Sequence, residues 1–136
     1  MPAEIFTRLA WTAALIALGL LLYWLTNRLV LRNAAGKARS LPAFRLGKWA
    51  IIYFTTPECM PCKMVQRPAL KNLQGQLGDK LQVIEINAQE KPELAKDWGV
   101  LSVPTTFIVD PAGRPVHVNH GVTPANRLLE QLGQMG

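Results

Sequence analysis

Cys59 and Cys62 are the two cysteines of this 136-residue chain, and their spacing is C-x-x-C. A thiolate at such a pair can attack a disulfide, and the second thiol can then resolve the mixed disulfide. Two cysteines cannot build the disulfide framework of a small secreted domain, and a bridge across so short a loop constrains little of the chain. We therefore predict a reactive pair. The alternatives are two inert buried thiols, or a zinc site completed by His117 and His120.

The residues around the cysteines favour the redox interpretation. Trp49–Thr55 is a continuous apolar and β-branched run, typical of a strand buried on both faces. A helical pattern begins at Met60, so Cys59 is expected at a helix N-terminus, where free N–H groups and partial positive charge lower the pKa of a thiol. We expect Cys59 to be the nucleophile and Cys62, on the same side of the first turn, to be the resolving thiol. Pro61 suits that turn and stiffens the loop between the sulfurs.

The rest of the pattern predicts alternating strands and helices in the order βαβαββα, an α/β arrangement with a central mixed sheet flanked by helices. We expect Pro68 to kink the first helix, because proline lacks an N–H group, and Thr123 to N-cap the last. The predicted strands are Trp49–Thr55, Leu81–Asn87, Pro104–Val109 and Pro115–Asn119, and the predicted helices are Met60–Leu77, Pro92–Trp98 and Pro124–Leu132.

A long apolar segment precedes this domain. Leu9–Leu25 contains no charged residue, and its apolar flanks bring it to the length of about 20 residues that a membrane span needs. Trp11 and Trp24 lie near its ends, where aromatic belts form. We predict one transmembrane helix with flanks over residues 1–32, with a cleaved signal peptide as the alternative.

The residues after the apolar segment are small, polar and basic. We expect 33–46 to be a linker with little structure of its own, and 47–136 to be the folded domain. The formal net charge is +6, and the basic cluster after the span is typical of a juxtamembrane flank, so we expect a plasma-membrane protein with no nucleic-acid partner. That cluster comprises Arg28, Arg32, Lys37 and Arg39.

From about Gly47 to Leu132 the chain resembles the thioredoxin family. Four features in order carry the resemblance. The strand Ile51–Thr55 leads into Cys59-Met-Pro-Cys62-Lys, and a second strand ends in Glu85-Ile-Asn. Trp98-Gly-Val-Leu-Ser then leads to Val103-Pro104-Thr105, and a hairpin turn precedes Asn119-His-Gly. A C-x-x-C alone is weak evidence of kinship, but its combination with Val-Pro-Thr and a strand at this distance is specific.

The resemblance implies a compact thioredoxin-like fold and disulfide exchange with a protein substrate. It also implies a cis peptide between Val103 and Pro104, packed against the disulfide. Such a proline leaves neighbouring backbone free to pair with an extended chain, so Val103, Pro104 and Thr105, together with Pro61, are the expected substrate-binding residues. We expect no cofactor and no bound metal.

The chain departs from the family pattern at three positions. Glu58 replaces the usual tryptophan before the first cysteine, Tyr53 replaces a buried aspartate, and Glu85 replaces the lysine on the neighbouring strand. Our hypothesis is that Glu85 relays protons to Cys62, which makes Glu85 a third catalytic residue beside the two cysteines. The alternative is a solvent-facing glutamate.

A further departure lies at the front of the domain, where the family's first strand and helix are trimmed or missing. This resembles the compact, tethered thioredoxin-like proteins of bacteria, whose domains often lie outside the cytoplasm. The positive-inside rule favours the cytoplasm instead, so the sequence leaves the side of the membrane open.

The pattern as a whole predicts a membrane-tethered thiol-disulfide oxidoreductase that acts on a partner protein. Subunits of a membrane complex are among the expected partners. Two alternatives remain at this point. One is a non-catalytic accessory subunit of such a complex, and the other is a metallochaperone that carries copper on its cysteines with Met60 or His120 as a further ligand.

Overall fold

A computed structural model describes residues 2–34 and 36–133 and divides the chain into two compact units, Met1–Val30 and Leu31–Gly136. Helix α1 runs from Pro2 to Ala34, and all side chains from Pro2 to Thr26 are exposed. Its length and composition meet the requirement for a membrane span, and a signal sequence near an N-terminus meets the same requirement. The prediction of an N-terminal helix apolar enough to span a membrane is confirmed.

The second unit is built on a four-stranded sheet in the order β2-β1-β3-β4. Strand β1 pairs with β2 in parallel and with β3 in antiparallel orientation, and β3 pairs with β4 in antiparallel orientation. The predicted mixed sheet is therefore confirmed, with β3 beginning one residue later and β4 ending one residue later than expected. The strands are β1 Trp49–Thr55, β2 Leu81–Asn87, β3 Thr105–Val109 and β4 Pro115–His120.

Helices flank this sheet in the predicted order. They are α2 Arg67–Leu77, α3 Pro92–Asp97 and α4 Ala125–Leu132. The expected N-cap at Thr123 is wrong, because Pro124 occupies the cap position and the Thr123 hydroxyl instead donates to the carbonyl oxygen of Gly121.

The turn before α2 is not the kinked α-helix that we expected. A helical turn begins at Met60, Cys62–Gln66 form a π-helix, and α2 starts only at Arg67. The N–H group of Arg67 donates to the carbonyl oxygen of Cys62, five residues back. Pro68 comes next and has no N–H group to donate to residue 64. The wider π-helical turn therefore lies where an α-helical hydrogen bond could not form.

The sheet is buried on both faces. On one face, Ile51 and Tyr53 pack in a cluster that includes both cysteines, and the other members come from the sheet and from α2 and α4: Leu70, Leu73, Leu81, Ile108, Leu128 and Leu132. Next to Phe54 and Phe107, Trp98 completes an aromatic group with ring centroids 4.9 to 6.0 Å apart. The two pairs that include Phe107 are edge-to-face, an arrangement that stabilises beyond the area buried.

The segment before β1 is more ordered than we expected. Ala38–Ser40 form a 3-10 turn, and Ala34, Ala38 and Leu41 are buried. The Arg39 side chain donates to the carbonyl oxygen of Ala112, 2.7 Å away, in the hairpin turn between β3 and β4. Residues 38–41 are therefore structured, whereas the assignment of 33–46 as a linker stays a prediction.

Candidate redox site

Cys59 and Cys62 form a disulfide at the point where β1 gives way to the helical turn. The S–S distance is 2.07 Å and the Cα atoms are 5.3 Å apart. The N–H group of Cys62 donates to the sulfur of Cys59 at 3.2 Å. A helix N-terminus thus directs an amide dipole at this sulfur.

The two cysteines differ in accessibility. Cys62 is 0% exposed, whereas Cys59 is 9% exposed. Both belong to the apolar cluster on one face of the sheet. Met60 between them is 59% exposed, and Pro61 lies exposed in the first helical turn with φ −57°. The geometry leaves Cys59 as the sulfur nearer to solvent.

The loop before β3 carries the predicted proline. The Val103–Pro104 peptide is cis, as expected, and Val103 packs against the cluster that contains the cysteines. Thr105 is fully buried, and its hydroxyl donates to the carbonyl oxygen of Ser102 at 2.6 Å. The carbonyl oxygen of Pro104 accepts the N–H group of Gly121 at 2.8 Å. This loop is thus bonded within itself and to the end of β4.

Tyr53 lies in the central strand directly beneath the helical turn. It is buried, and its hydroxyl donates to the carbonyl oxygen of Cys62 at 3.2 Å. Burial raises the pKa of Tyr53 above its ordinary value of 10.0, against the smaller lowering effects of Thr55 and Arg67. The phenol therefore stays protonated at neutral pH and remains a hydrogen-bond donor.

Glu85 is the register partner of Tyr53 on β2. Its carboxylate accepts a 2.5 Å bond from the guanidinium of Arg67, and both side chains are partly exposed. The pair lines a cleft of about 430 Å³ at the carboxyl ends of β1 and β2, beside Thr56 and Pro57. An exposed ion pair of this kind contributes little to stability, roughly 0–1 kcal/mol.

Glu58, the residue before the first cysteine, is exposed. Its carboxylate accepts a 2.5 Å bond from the amide of Gln89, in the loop after β2. The Glu58 carboxylate next to Cys59 thus accepts a hydrogen bond from an uncharged amide of another segment.

Sequence reasoning missed two residues at this site, Arg67 and Gln66. Gln66 is buried at a position that falls on the inward side of the helix, between Cys62 and Leu70. A polar residue on an otherwise apolar stripe is the signal in the sequence that indicates such a position.

Comparison with known proteins agrees with this geometry. The family model described as Thioredoxin matches residues 45–134. Thioredoxin from Bacillus subtilis (strain 168) is 38% identical over 77 residues, which cover 57% of this chain and 72% of that protein. Thioredoxin 1 from Nostoc sp. is 32% identical over 82 residues, which cover 60% of this chain and 75% of that protein.

Solved structures share the fold. Thioredoxin-2 of the malaria parasite, described as a component of the parasite's protein secretion machinery, superimposes with a TM-score of 0.60 at 20% identity. The superposition covers 64% of this chain and 82% of that one. The family model, the relatives and the Cys59–Cys62 disulfide together identify a redox protein, and the chain belongs to the thioredoxin family.

Proposed function

We propose that this protein is a membrane-tethered thiol-disulfide oxidoreductase that reduces or exchanges disulfides in a partner protein. The observation that carries the proposal is the Cys62 N–H group directed at the Cys59 sulfur, 3.2 Å away at the start of a helix. This arrangement favours a thiolate at Cys59 and makes that residue the nucleophile.

The proposed reaction uses the two cysteines in sequence. The Cys59 thiolate attacks one sulfur of the partner's disulfide; that bond breaks, a Cys59–partner disulfide forms, and the other partner sulfur leaves as a thiolate. The Cys62 thiolate then attacks the Cys59 sulfur, which releases the second partner thiolate and forms the Cys59–Cys62 disulfide. Two electrons pass to the partner, and a dithiol reductant returns the pair to its reduced form.

The partner is proposed to dock across the loop before β3. Val103 and Pro104 would present backbone to an extended chain, and Thr105 would hold that loop through its bond to Ser102. Pro61 is exposed beside the disulfide and would border the same surface. A protein substrate suits this surface better than a small polar one, because the neighbouring Leu101 and Met60 side chains are apolar and exposed.

We assign to Glu85 the movement of protons to and from Cys62. Support comes from its position opposite Tyr53, which contacts the Cys62 carbonyl group, and from the cleft that connects Glu85 with solvent. The carboxylate of Glu85, which accepts a bond from Arg67, would accept the proton that Cys62 must lose before it attacks.

The tether is the N-terminal helix. We propose residues 1–32 as a single-pass anchor in the plasma membrane, 33–46 as the connecting segment and 47–136 as the redox domain. A tether raises the local concentration of the domain near membrane-bound partners, including subunits of a membrane complex.

The activity is tested with the full-length chain in a mild detergent, insulin as the disulfide substrate and dithiothreitol as the reductant. We expect reduction well above the rate with dithiothreitol alone, loss of that gain in Cys59→Ser, and a trapped Cys59–insulin disulfide in Cys62→Ser. A non-catalytic accessory subunit would show no gain and no trapped species.

The tether is tested by fractionating cells that express the full-length chain. An intact protein that stays with membranes after alkaline carbonate washing is expected. A shorter, soluble product would identify the helix as a cleaved signal sequence and overturn this part of the proposal.

A further inference from the structure

The side chain of Gln66 joins the helical turn of the disulfide to a distant loop. Gln66 is 0% exposed and lies in the π-helix that begins at Cys62. Its amide nitrogen donates to the carbonyl oxygen of Thr123 at 3.0 Å, and the N–H group of Thr123 donates to its amide oxygen at 2.8 Å. One buried side chain thus satisfies both backbone groups of a residue 57 positions away.

The position of Gln66 is one where packing alone would select an apolar residue. Cys62, Leu70 and Leu73 lie on the same inward side of the helix and are buried, whereas Met64 and Val65 are exposed. A buried amide is tolerated only when its polar atoms are bonded, so the polar choice is explained by the pair of bonds to Thr123.

The bonded loop continues to the substrate side of the site. Two residues before Thr123, the N–H group of Gly121 donates to the carbonyl oxygen of Pro104 at 2.8 Å. Val122 between them is exposed. The helix that carries the disulfide, the loop 121–123 and the loop before β3 are therefore linked through Gln66 in one chain of hydrogen bonds.

We propose that Gln66 is a positioning residue that holds the loop 121–123, and through it Pro104, in the arrangement that receives a protein disulfide at Cys59. The inference rests on the proposed function. None of these hydrogen bonds joins Gln66 to a sulfur. Loss of the Gln66 side chain should therefore weaken the docking of a protein substrate. The reactivity of Cys59 toward a small disulfide should stay nearly unchanged.

The test compares Gln66→Met with the wild-type chain, both at full length in detergent. Methionine is close in size and apolar, so it removes both bonds while filling the same space. We expect the KM for insulin to rise about fivefold or more, and the rate constant with hydroxyethyl disulfide to change by less than about twofold. Gln74→Met, at an exposed position of α2, is the matched control and should change neither value.

A second variant keeps the inference testable if Gln66→Met fails to fold. In Gln66→Glu a protonated carboxyl group can still donate to the Thr123 carbonyl oxygen and accept its N–H group, whereas the ionised form can only accept. The ratio of the variant's KM for insulin to that of the wild type should therefore fall toward one between pH 8.5 and pH 6.5. The rate constant with hydroxyethyl disulfide should stay close to that of the wild type across this range, whereas a purely structural role predicts that both activities recover together.

The outcomes separate the two proposals. If the wild-type chain does not reduce insulin, the proposed function fails. If the wild-type chain does reduce insulin, two results overturn only the role of Gln66. One is an equal loss of activity with insulin and hydroxyethyl disulfide in either variant, and the other is a KM for insulin that is unchanged in Gln66→Met or unchanged in Gln66→Glu at pH 8.5.

Discussion

The hydroxyl group of Tyr53 donates a hydrogen bond to the carbonyl oxygen of Cys62, which also accepts the π-helical bond from the N–H group of Arg67. The carbonyl oxygen of Cys62 is therefore held from the sheet and from the helix at the same time. Because Tyr53 lies in the central strand, this bond fixes the helical turn directly over the apolar cluster that contains the disulfide.

Replacing Tyr53 by phenylalanine should lower the free energy of unfolding of the oxidised protein by about 1–3 kcal/mol, since a buried carbonyl group loses one of its donors. Urea denaturation measures the change. Tyr23→Phe is the matched control, because Tyr23 is exposed on α1 and its hydroxyl group is expected to matter little to the redox domain. Equal stability of Tyr53→Phe and the wild type would show that the bond contributes nothing.

Glu85→Gln should slow disulfide exchange near neutral pH, because glutamine cannot accept the proton that Cys62 loses. Stability should change by less than about 1 kcal/mol, since the ion pair with Arg67 is partly exposed. The measurement is the rate of insulin reduction between pH 6 and pH 9. Glu93→Gln, on the exposed side of α3, is the control. Rates that match the wild type at every pH would end the proton-relay hypothesis.

The sequence predicted the elements whose signals are local. Strands β1 and β2 begin and end where their apolar and β-branched runs begin and end. The cis peptide at Val103–Pro104 followed from the family resemblance. The strands depend on a short stretch of residues, so a pattern in that stretch is enough to identify them, whereas the cis peptide was implied by the resemblance of the whole pattern.

The sequence did not predict the features that depend on distant partners. The bond from Arg39 to the carbonyl oxygen of Ala112 spans 73 positions, and the bonds from Gln66 to Thr123 span 57. A local pattern contains no information about such a partner. The same reason explains the wrong N-cap at Thr123, whose backbone is already used by Gln66.

His117 should make the protein less stable in mild acid. Burial lowers the pKa of His117 below 6.5, so the folded state keeps the ring neutral while the unfolded chain takes up a proton as the pH falls through 6.5. The stabilising contribution is therefore present above pH 6.5 and is lost as the pH falls through the lower, folded value.

The variant His117→Gln cannot titrate, so its stability should fall less than that of the wild type between pH 7.5 and pH 5.5. The difference should be below about 1 kcal/mol, because the ring is only partly buried. Urea denaturation at the two pH values measures it. Parallel loss of stability in both proteins would assign the acid sensitivity to other groups.

Two leucines before β1 test whether the segment 33–46 belongs to the folded domain. Leu41 is 8% exposed and Leu46 is 66% exposed. If the buried part of the segment packs as part of the domain, Leu41→Ala should lower the free energy of unfolding by about 2–4 kcal/mol, through lost apolar contact and the cavity left behind. Leu46→Ala should change it by less than about 0.5 kcal/mol, because its side chain stays in solvent in both states.

The comparison removes the same atoms from two positions of the same segment, so differences in helix propensity or in the unfolded chain contribute little. Urea denaturation of the full-length chain measures both variants. A linker without structure would give two equal and small changes. A large effect confined to Leu41 would mean that this part of the segment packs as part of the redox domain, and that a redox domain begun at residue 47 would be incomplete.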